Sequence, residues 1–261
     1  ISQYDKPISA SGWLEIGVGC GTKKVGVTRV HLEEDVAKLQ HYTKQKEKGY
    51  TLLDMNRAGV PLMETVSDPD MRSPEEARAY LTSLHSILRY IGVSTANMEE
   101  GSFRCDANIS VRPIGVTELG AKVEVKNMNS FRAVYGALVY EKQRQIGLIE
   151  TGKRIVQETR GWVDDQGVTV SQRSKEIASD YRYFPEPDLP PLIIPVNWTK
   201  QVRDQLPELP QARKDRFVEV YGLPVYDAGI LTSSRDTSDF FEAAMGGRSL
   251  KGEIKKNKAK T

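Results

Sequence analysis

Two segments between residues 98 and 129 alternate between apolar and polar residues with a period of two. Residues 103–112 carry apolar side chains at the odd positions, and residues 121–127 repeat the pattern after a glycine-containing connection. Successive side chains of a strand leave opposite faces, so each segment predicts a strand that is buried on one face. The apolar set is Phe103, Cys105, Ala107, Ile109, Val111, Ala121, Val123 and Val125.

The opposite face of these two predicted strands gathers charged and short polar side chains. It holds two acids, four cations and two uncharged polar residues, namely Asp106, Glu124, Arg104, Arg112, Lys122, Lys126, Asn108 and Ser110. An ordinary solvated face is the simpler interpretation of these residues alone. The alternative is a sheet surface that binds an anionic, metal-bound substrate, and the pattern does not choose between them.

Two helices and several further strands are predicted around this pair. Ser73 as N-cap, Pro74 at the first helical position and Glu76 in a capping box predict a helix over 74–91. A second helix is expected over 130–149. Strands are predicted over 13–18, 24–32 and 51–55, with a polar loop at 38–49 and a hairpin of 155–163 with 168–173.

This order of elements predicts an α+β fold with a mainly antiparallel sheet, because hairpins replace the βαβ alternation of parallel sheets. Five prolines between residues 185 and 195 mark a boundary. We therefore expect a first domain over 1–195, the start of a helical domain over 196–247, and a basic, disordered tail over 248–261. The last eleven residues hold five lysines and one glutamate.

Composition describes an ordinary globular protein, with 39% hydrophobic and 28% charged residues and a net charge of +2. Cys20 and Cys105 show neither pairing nor metal-binding spacing, which fits a reducing compartment. No signal peptide or membrane-length apolar run appears, so we expect a cytoplasmic protein, or a mitochondrial or plastid one in a eukaryote. The chain begins at Ile1 without a methionine, and we interpret it as a fragment.

Acidic residues are the best candidates for chemistry. The three histidines lack the signature of a nucleophile–base pair, and neither a Walker A sequence nor a dinucleotide-binding glycine motif is present. Glu34 follows a predicted strand, and Glu64 lies inside an apolar run, where a carboxylate is costly unless it is paired or bound to metal. Mg²⁺ prefers carboxylates together with substrate phosphates, so a magnesium–phosphate site is one hypothesis. Arg104 and Arg112 are candidates for binding the phosphates, or for pairing with the acids.

Longer runs of sequence carry a family resemblance. The chain closely resembles the B subunits of the aspartyl/glutamyl-tRNA(Asn/Gln) amidotransferases, the GatB family, over about residues 1 to 245. The resemblance rests on the runs ISQYDKPI, VTRVHLEED, LLDMNRAGVPLMETVSDPDMRSPEEA, MEEGSFRCDANISVRP, EVKNMNSFRAV, QETRGW and SDYRYFPEPDLPPL, which occur in the family's order.

The resemblance implies a fold and a reaction. The fold is an antiparallel cradle similar to that of glutamine synthetase and guanido kinases. A GatB protein is expected to act in a heterotrimer with GatA, which is an amidase, and with GatC, which is small. With ATP and Mg²⁺ it would phosphorylate the carboxylate of glutamate on tRNA(Gln), or of aspartate on tRNA(Asn), and ammonia from the amidase would then displace the phosphate.

The resemblance also implies roles for individual residues. Glu34 in HLEED and Glu64 in PLMETVSDPD match the metal-binding acids of the family, and Asp106 in RCDANIS matches a polar active-site position. Glu124 and Lys126 are proposed as catalytic from the strand pattern alone. An upstream segment with a metal-binding histidine and the C-terminal tail domain are missing, so a non-catalytic fragment that binds tRNA or partner subunits remains the alternative.

Overall fold

The computed structural model of the chain describes residues 2–19, 21–42, 49–174 and 184–246. These residues form nine strands and six helices. They belong to two compact units, the first drawn from Ile1–Arg72 with Ser179–Pro191 and the second from Ser73–Ala178 with Leu192–Thr261. Among the described residues, the first unit contains strands only, and all six helices belong to the second.

The first unit is built on a three-stranded antiparallel sheet with the order β1-β2-β5. Its strands are β1 (Ser9–Val18), β2 (Gly21–Glu34) and β5 (Pro61–Ser67). Ile16 and Val25 are almost completely buried. The predicted strands over 13–18 and 24–32 are confirmed and extend further than predicted.

A turn after β5 is fixed against the middle of β2. The Gly26 amide donates to Asp70 Oδ2 at 2.8 Å, and Thr28 Oγ1 donates to Asp68 Oδ1 at 2.5 Å. A Cβ atom added at Gly26 would lie 2.0 Å from Asp68 Oδ2. Glycine is therefore required at position 26 for the turn to approach the strand this closely.

A separate two-stranded sheet corrects one prediction. β3 (Lys38–Tyr42) pairs with β4 (Tyr50–Asp54), and the rings of Tyr42 and Tyr50 stack at 5.2 Å. The predicted loop over 38–49 is wrong for 38–42, and residues 43–48 lie outside the described part of the chain. Because most side chains of this hairpin are exposed on both faces, its sequence lacks the alternation that identifies a half-buried strand.

The second unit begins with α1 (Pro74–Tyr90) and also contains α2 (Phe131–Glu150). Ser73 and Ser130 cap them by accepting from the amides of Glu76 and Ala133. Both predicted helices are therefore confirmed, with the expected cap at Ser73. A four-stranded sheet accompanies them in the order β6-β7-β8-β9, made of β6 (Ala107–Ile109), β7 (Val123–Lys126), β8 (Glu158–Val163) and β9 (Val168–Ser174).

This sheet differs from the prediction in two respects. β6 covers only three of the residues in 103–112, because the connection that follows it turns away, and Arg112 Nη1 donates to the Thr117 carbonyl within that connection. In addition, β7 and β8 are parallel, whereas β6–β7 and β8–β9 are antiparallel. The predicted hairpin of β8 with β9 is confirmed.

A buried ionic network joins α2 to the sheet. Glu141 is fully buried and accepts from Arg144 Nε and Nη2 at 2.9 Å each, while Arg160 Nε lies 3.0 Å from Glu141 Oε1. Gln145 and Thr169 also donate to this carboxylate. Burial alone would raise the pKa of Glu141, but these hydrogen bonds outweigh it and hold the pKa below its ordinary value.

The C-terminal helices pack around Phe217, Tyr221 and Ala228. They are α3 (Val196–Gln205), α4 (Pro210–Tyr221), α5 (Val225–Leu231) and α6 (Arg235–Ala244). The buried Tyr90 hydroxyl of α1 donates to the Thr232 carbonyl at 2.7 Å and lies 2.8 Å from Ser238 Oγ. These helices belong to the same compact unit as α1, although the prolines before residue 195 predict a domain boundary there. The predicted tail over 248–261 lies outside the described residues.

The α+β class is confirmed in its general form, as antiparallel sheets combined with helices. The closer likeness to glutamine synthetase and guanido kinases remains an expectation. Within the described residues, no helix has the length and apolar character needed to cross a membrane.

Candidate functional site

Three predicted catalytic residues lie together on the sheet of the second unit. Strand β7 directs Glu124 and Lys126 to one face, while Val123 and Val125 are completely buried on the other. Lys126 Nζ donates to Asp106 Oδ2 at 2.9 Å and lies 3.5 Å from Glu124 Oε1. We call these residues, Asp106, Glu124 and Lys126, the lysine cluster.

The two acids of the lysine cluster keep Lys126 charged. Burial alone would lower the pKa of Lys126, but the hydrogen bond to Asp106 and the charges of Asp106 and Glu124 raise it above its ordinary value. Lys126 is therefore a cation at neutral pH and is unsuited to act as a general base. Its side chain is 36% exposed and that of Asp106 is 50% exposed, so an anionic ligand can reach the ammonium group.

A threonine that the sequence did not single out completes the surroundings of Glu124. Thr159 faces Glu124 in the parallel β7–β8 register, and its Oγ1 donates to Glu124 Oε2 at 2.9 Å. Thr159 is only 3% exposed. Its contact with Glu124 depends on the parallel pairing of β7 with β8, for which the local pattern contains no signal.

The two arginines predicted to bind the cofactor lie on either side of β6. Arg104 is exposed in the segment that precedes the strand. Arg112 follows it, and its guanidinium donates to the backbone of the next connection, at the Thr117 carbonyl. That contact gives Arg112 a role in holding its own loop, and phosphate binding by either arginine stays a prediction.

The first unit brings together a second group of polar residues. His31 lies opposite Glu64 in the β2–β5 register, and Glu33 lies on the same face as His31, two residues along β2. His31 Nε2 is 2.9 Å from Glu33 Oε1 and 3.9 Å from Glu64 Oε2. One nitrogen or oxygen of each residue lies within 4.8 Å of the others. We call His31, Glu33 and Glu64 the histidine cluster.

Glu34 does not belong to the histidine cluster. It lies opposite Pro61 at the end of β2, and strand alternation directs it away from the face of His31 and Glu33. The sheet therefore does not bring the two predicted metal ligands together, since Glu64 lies with Glu33 instead of Glu34. The spacing of His31 and Glu33 predicts their shared face, but the sequence alone does not reveal that Glu64 pairs with this part of β2.

The histidine cluster has donors that fit a divalent metal ion. Ligands of an ion bound at about 2.1 Å are separated by about 3 Å from their neighbours, close to the 2.9 Å between His31 Nε2 and Glu33 Oε1. His31 is completely buried, and its Nδ1 has no hydrogen-bond partner among the described residues. An imidazole beside two carboxylates suits a first-row transition ion at least as well as Mg²⁺, which prefers oxygen ligands.

Comparison with known proteins assigns the chain to a family. The family described as the GatB/GatE catalytic domain matches residues 1–200. This match covers most of the chain and includes both clusters. The chain therefore belongs to the GatB/GatE catalytic-domain family, as the resemblance implied.

Individual relatives identify the branch of the family. The chain is 62% identical over 246 residues to the B subunit of the aspartyl/glutamyl-tRNA(Asn/Gln) amidotransferase of Dehalococcoides mccartyi (strain CBDB1), a match that covers 94% of this chain and 50% of that protein. The protein of the same name from Carboxydothermus hydrogenoformans is 56% identical over 249 residues, which cover 95% of this chain and 52% of the relative. The chain spans about half the length of the curated relatives it matches.

Proposed function

We propose that this chain is part of a tRNA-dependent amidotransferase, within the protein that activates and amidates the aminoacyl group. Its substrates would be glutamate carried by tRNA(Gln), aspartate carried by tRNA(Asn), or both. The partners would be the amidase GatA, which releases ammonia, and the small protein GatC. The proposal is supported by membership of the GatB/GatE catalytic-domain family and by the names of the relatives.

The reaction needs activation because a carboxylate oxygen is a poor leaving group. Transfer of the γ-phosphoryl group of ATP to the carboxylate forms an acyl phosphate and ADP. Ammonia then attacks the acyl carbon, inorganic phosphate leaves with the C–O bond electrons, and the nitrogen loses a proton to give the amide. Phosphoryl transfer is catalysed mainly by positioning and charge neutralisation, which requires fixed cations near the phosphate oxygens.

Lys126 is the residue we assign to this charge neutralisation. Its ammonium group is protonated and partly exposed, and Asp106 and Glu124 hold it in place. A fixed ammonium group would stabilise negative charge on the phosphoryl oxygens as that charge develops. This preformed cation on a sheet face, within the family's catalytic domain, is the observation that carries the proposal.

The histidine cluster would hold the metal ion in this proposal. A bound divalent ion would act as a Lewis acid towards phosphate oxygens. Glu33 also accepts a hydrogen bond from Ser2 Oγ at 2.8 Å, so its carboxylate is oriented by a further contact. Glu34, the ligand expected from the resemblance, remains a competing candidate.

The test of Lys126 uses the full-length protein assembled with its partner proteins and misacylated tRNA. The variant Lys126→Met should lower tRNA-dependent phosphate release from ATP by about 100-fold, the scale of a lost electrostatic contact in a transition state. Lys122→Met is the matched control, because Lys122 is an exposed lysine just before β7. Equal activity of the two variants would remove Lys126 from the mechanism. Binding of tRNA without phosphate release in the unmodified complex would favour the alternative of a non-catalytic binding protein.

The metal assignment is tested by comparing neighbouring glutamates. Binding of Mn²⁺, followed by electron paramagnetic resonance, should weaken in Glu33→Gln and Glu64→Gln and remain near the parent value in Glu34→Gln. The two adjacent positions form a matched pair, since they differ in the face of β2 to which they point. Loss of Mn²⁺ binding in Glu34→Gln alone would contradict the histidine cluster and support the ligand expected from the resemblance.

A further inference from the structure

We propose that Thr159 is a positioning residue that fixes the carboxylate of Glu124 and thereby the ammonium group of Lys126. The inference deepens the proposed function and rests on it. Thr159 Oγ1 donates to Glu124 Oε2 at 2.9 Å, while Glu124 Oε1 lies 3.5 Å from Lys126 Nζ. One carboxylate thus joins a buried hydroxyl to the candidate catalytic cation.

The position of Thr159 follows from strand pairing. In the parallel register, Glu124 lies opposite Thr159 and Lys126 lies opposite Gly161, so these four residues occupy one face of β7 and β8. Thr159 and Gly161 are both buried. A short threonine beside the glutamate leaves its hydroxyl at hydrogen-bonding distance, and no rotation of a long side chain is needed to make the contact.

The hydroxyl restricts the rotation of the Glu124 carboxylate. A bond to a charged acceptor is stronger than a neutral one, and here it engages the oxygen that does not face the lysine. Without this bond, the carboxylate can rotate about its last side-chain bond, and the ammonium group loses one of the two acids that hold it. Thr159 would act through Glu124 and would not contact the substrate.

The same sheet contains a second buried threonine with a structural role. Thr169 in β9 is 3% exposed, as is Thr159, and its hydroxyl donates to Glu141 in the network beneath α2. Replacing either residue by valine removes one buried hydroxyl and keeps the branched shape. Thr169→Val is therefore a matched control for the loss of a buried hydrogen bond that lies outside the lysine cluster.

The experiment measures tRNA-dependent phosphate release by the full-length assembled complex. Thr159→Val should lower kcat by about 10-fold, as expected for a lost hydrogen bond to a charged group, with KM for tRNA unchanged. Thr159→Ser, which keeps the hydroxyl, should restore kcat. Thr169→Val should leave kcat within about two-fold of the parent at temperatures well below its melting point.

A double-mutant cycle tests whether Thr159 acts through Glu124. In a Glu124→Gln background, adding Thr159→Val should lower kcat by much less than 10-fold, because the charged acceptor is already absent. Additive losses would overturn the inference. So would full activity of Thr159→Val, or equal loss in the valine and serine variants.

A second readout separates this inference from the proposed function. Lysine side chains labelled with 13C report the surroundings of Lys126 by NMR, with the signal assigned from Lys126→Met. The Lys126 signal should move in Thr159→Val and stay in place in Thr169→Val. An unmoved signal would overturn the positioning role, whereas a moved signal in a complex without amidation activity would support the positioning of Lys126 and refute the proposed function.

Discussion

Replacing Glu141 by glutamine should strongly destabilise the second unit. The Glu141 carboxylate is fully buried and is shared by Arg144 and Arg160, whose guanidinium groups approach it at 2.9 and 3.0 Å. The substitution keeps the size of the side chain but removes the negative charge. It also points a donor NH₂ group towards donors, so both guanidinium groups lose a charged acceptor in a poorly solvated place.

The expected cost is about 3 kcal/mol in the free energy of unfolding, the lower end of the range for removing one partner of a buried ion pair. The loss should depend on pH. The pKa of Glu141 is lowered in the folded state from an ordinary value of 4.5, so its contribution is fully present above that value. It is lost as the pH falls through the folded-state pKa, and the difference between parent and variant should shrink on acidification.

Urea unfolding followed by far-ultraviolet circular dichroism measures this difference, because all helices among the described residues belong to the second unit. Glu150→Gln is the matched control, since Glu150 is exposed at the end of the same helix. It should change the free energy of unfolding by less than about 0.5 kcal/mol. A Glu141→Gln variant as stable as this control, or a difference that persists unchanged into acid, would refute the reasoning.

Three further changes test other parts of the fold. Gly26→Ala should lower the melting temperature of the first unit, because its Cβ would meet Asp68 at 2.0 Å, whereas Gly12→Ala, with its nearest contact at 3.8 Å, should be nearly neutral. Tyr90→Phe should destabilise the second unit by about 1–3 kcal/mol in urea unfolding, since it leaves buried partners unpaired. Cys105, whose pKa burial raises to about 12, should resist iodoacetamide at neutral pH until the protein unfolds, as mass spectrometry of its peptide would show.

Local patterns in the sequence predict much of the second unit. The alternation in 121–127 identifies Val123 and Val125 as buried and places Glu124 and Lys126 on the other face. The cap at Ser73 predicts the start of α1. Both signals depend on residues a few positions apart, and such spacing is visible in a single sequence.

Contacts between distant segments are beyond these patterns. The pairing of β7 with β8 brings Thr159 to Glu124 across 35 positions, and the β2–β5 register brings Glu64 to His31. Strand alternation fixes which residues share a face, but it does not state which strands are neighbours or in what register. The prediction of Glu34 as the partner of Glu64 rests on motif matching without that register.

The sheet of the second unit separates its charges into two different environments. Val125 lies opposite Arg160 in the register, so the Arg160–Glu141 network occupies the face on which Val123 and Val125 are buried, while Glu124 and Lys126 occupy the opposite face. Arg160 is 13% exposed and Glu141 is not exposed, and each neutralises the charge of the other. Lys126 and Asp106 are 36% and 50% exposed. A fixed cation contributes to binding or catalysis only where a ligand can reach it, so we place the chemistry on the face of Lys126 and assign the network of Glu141 to stability.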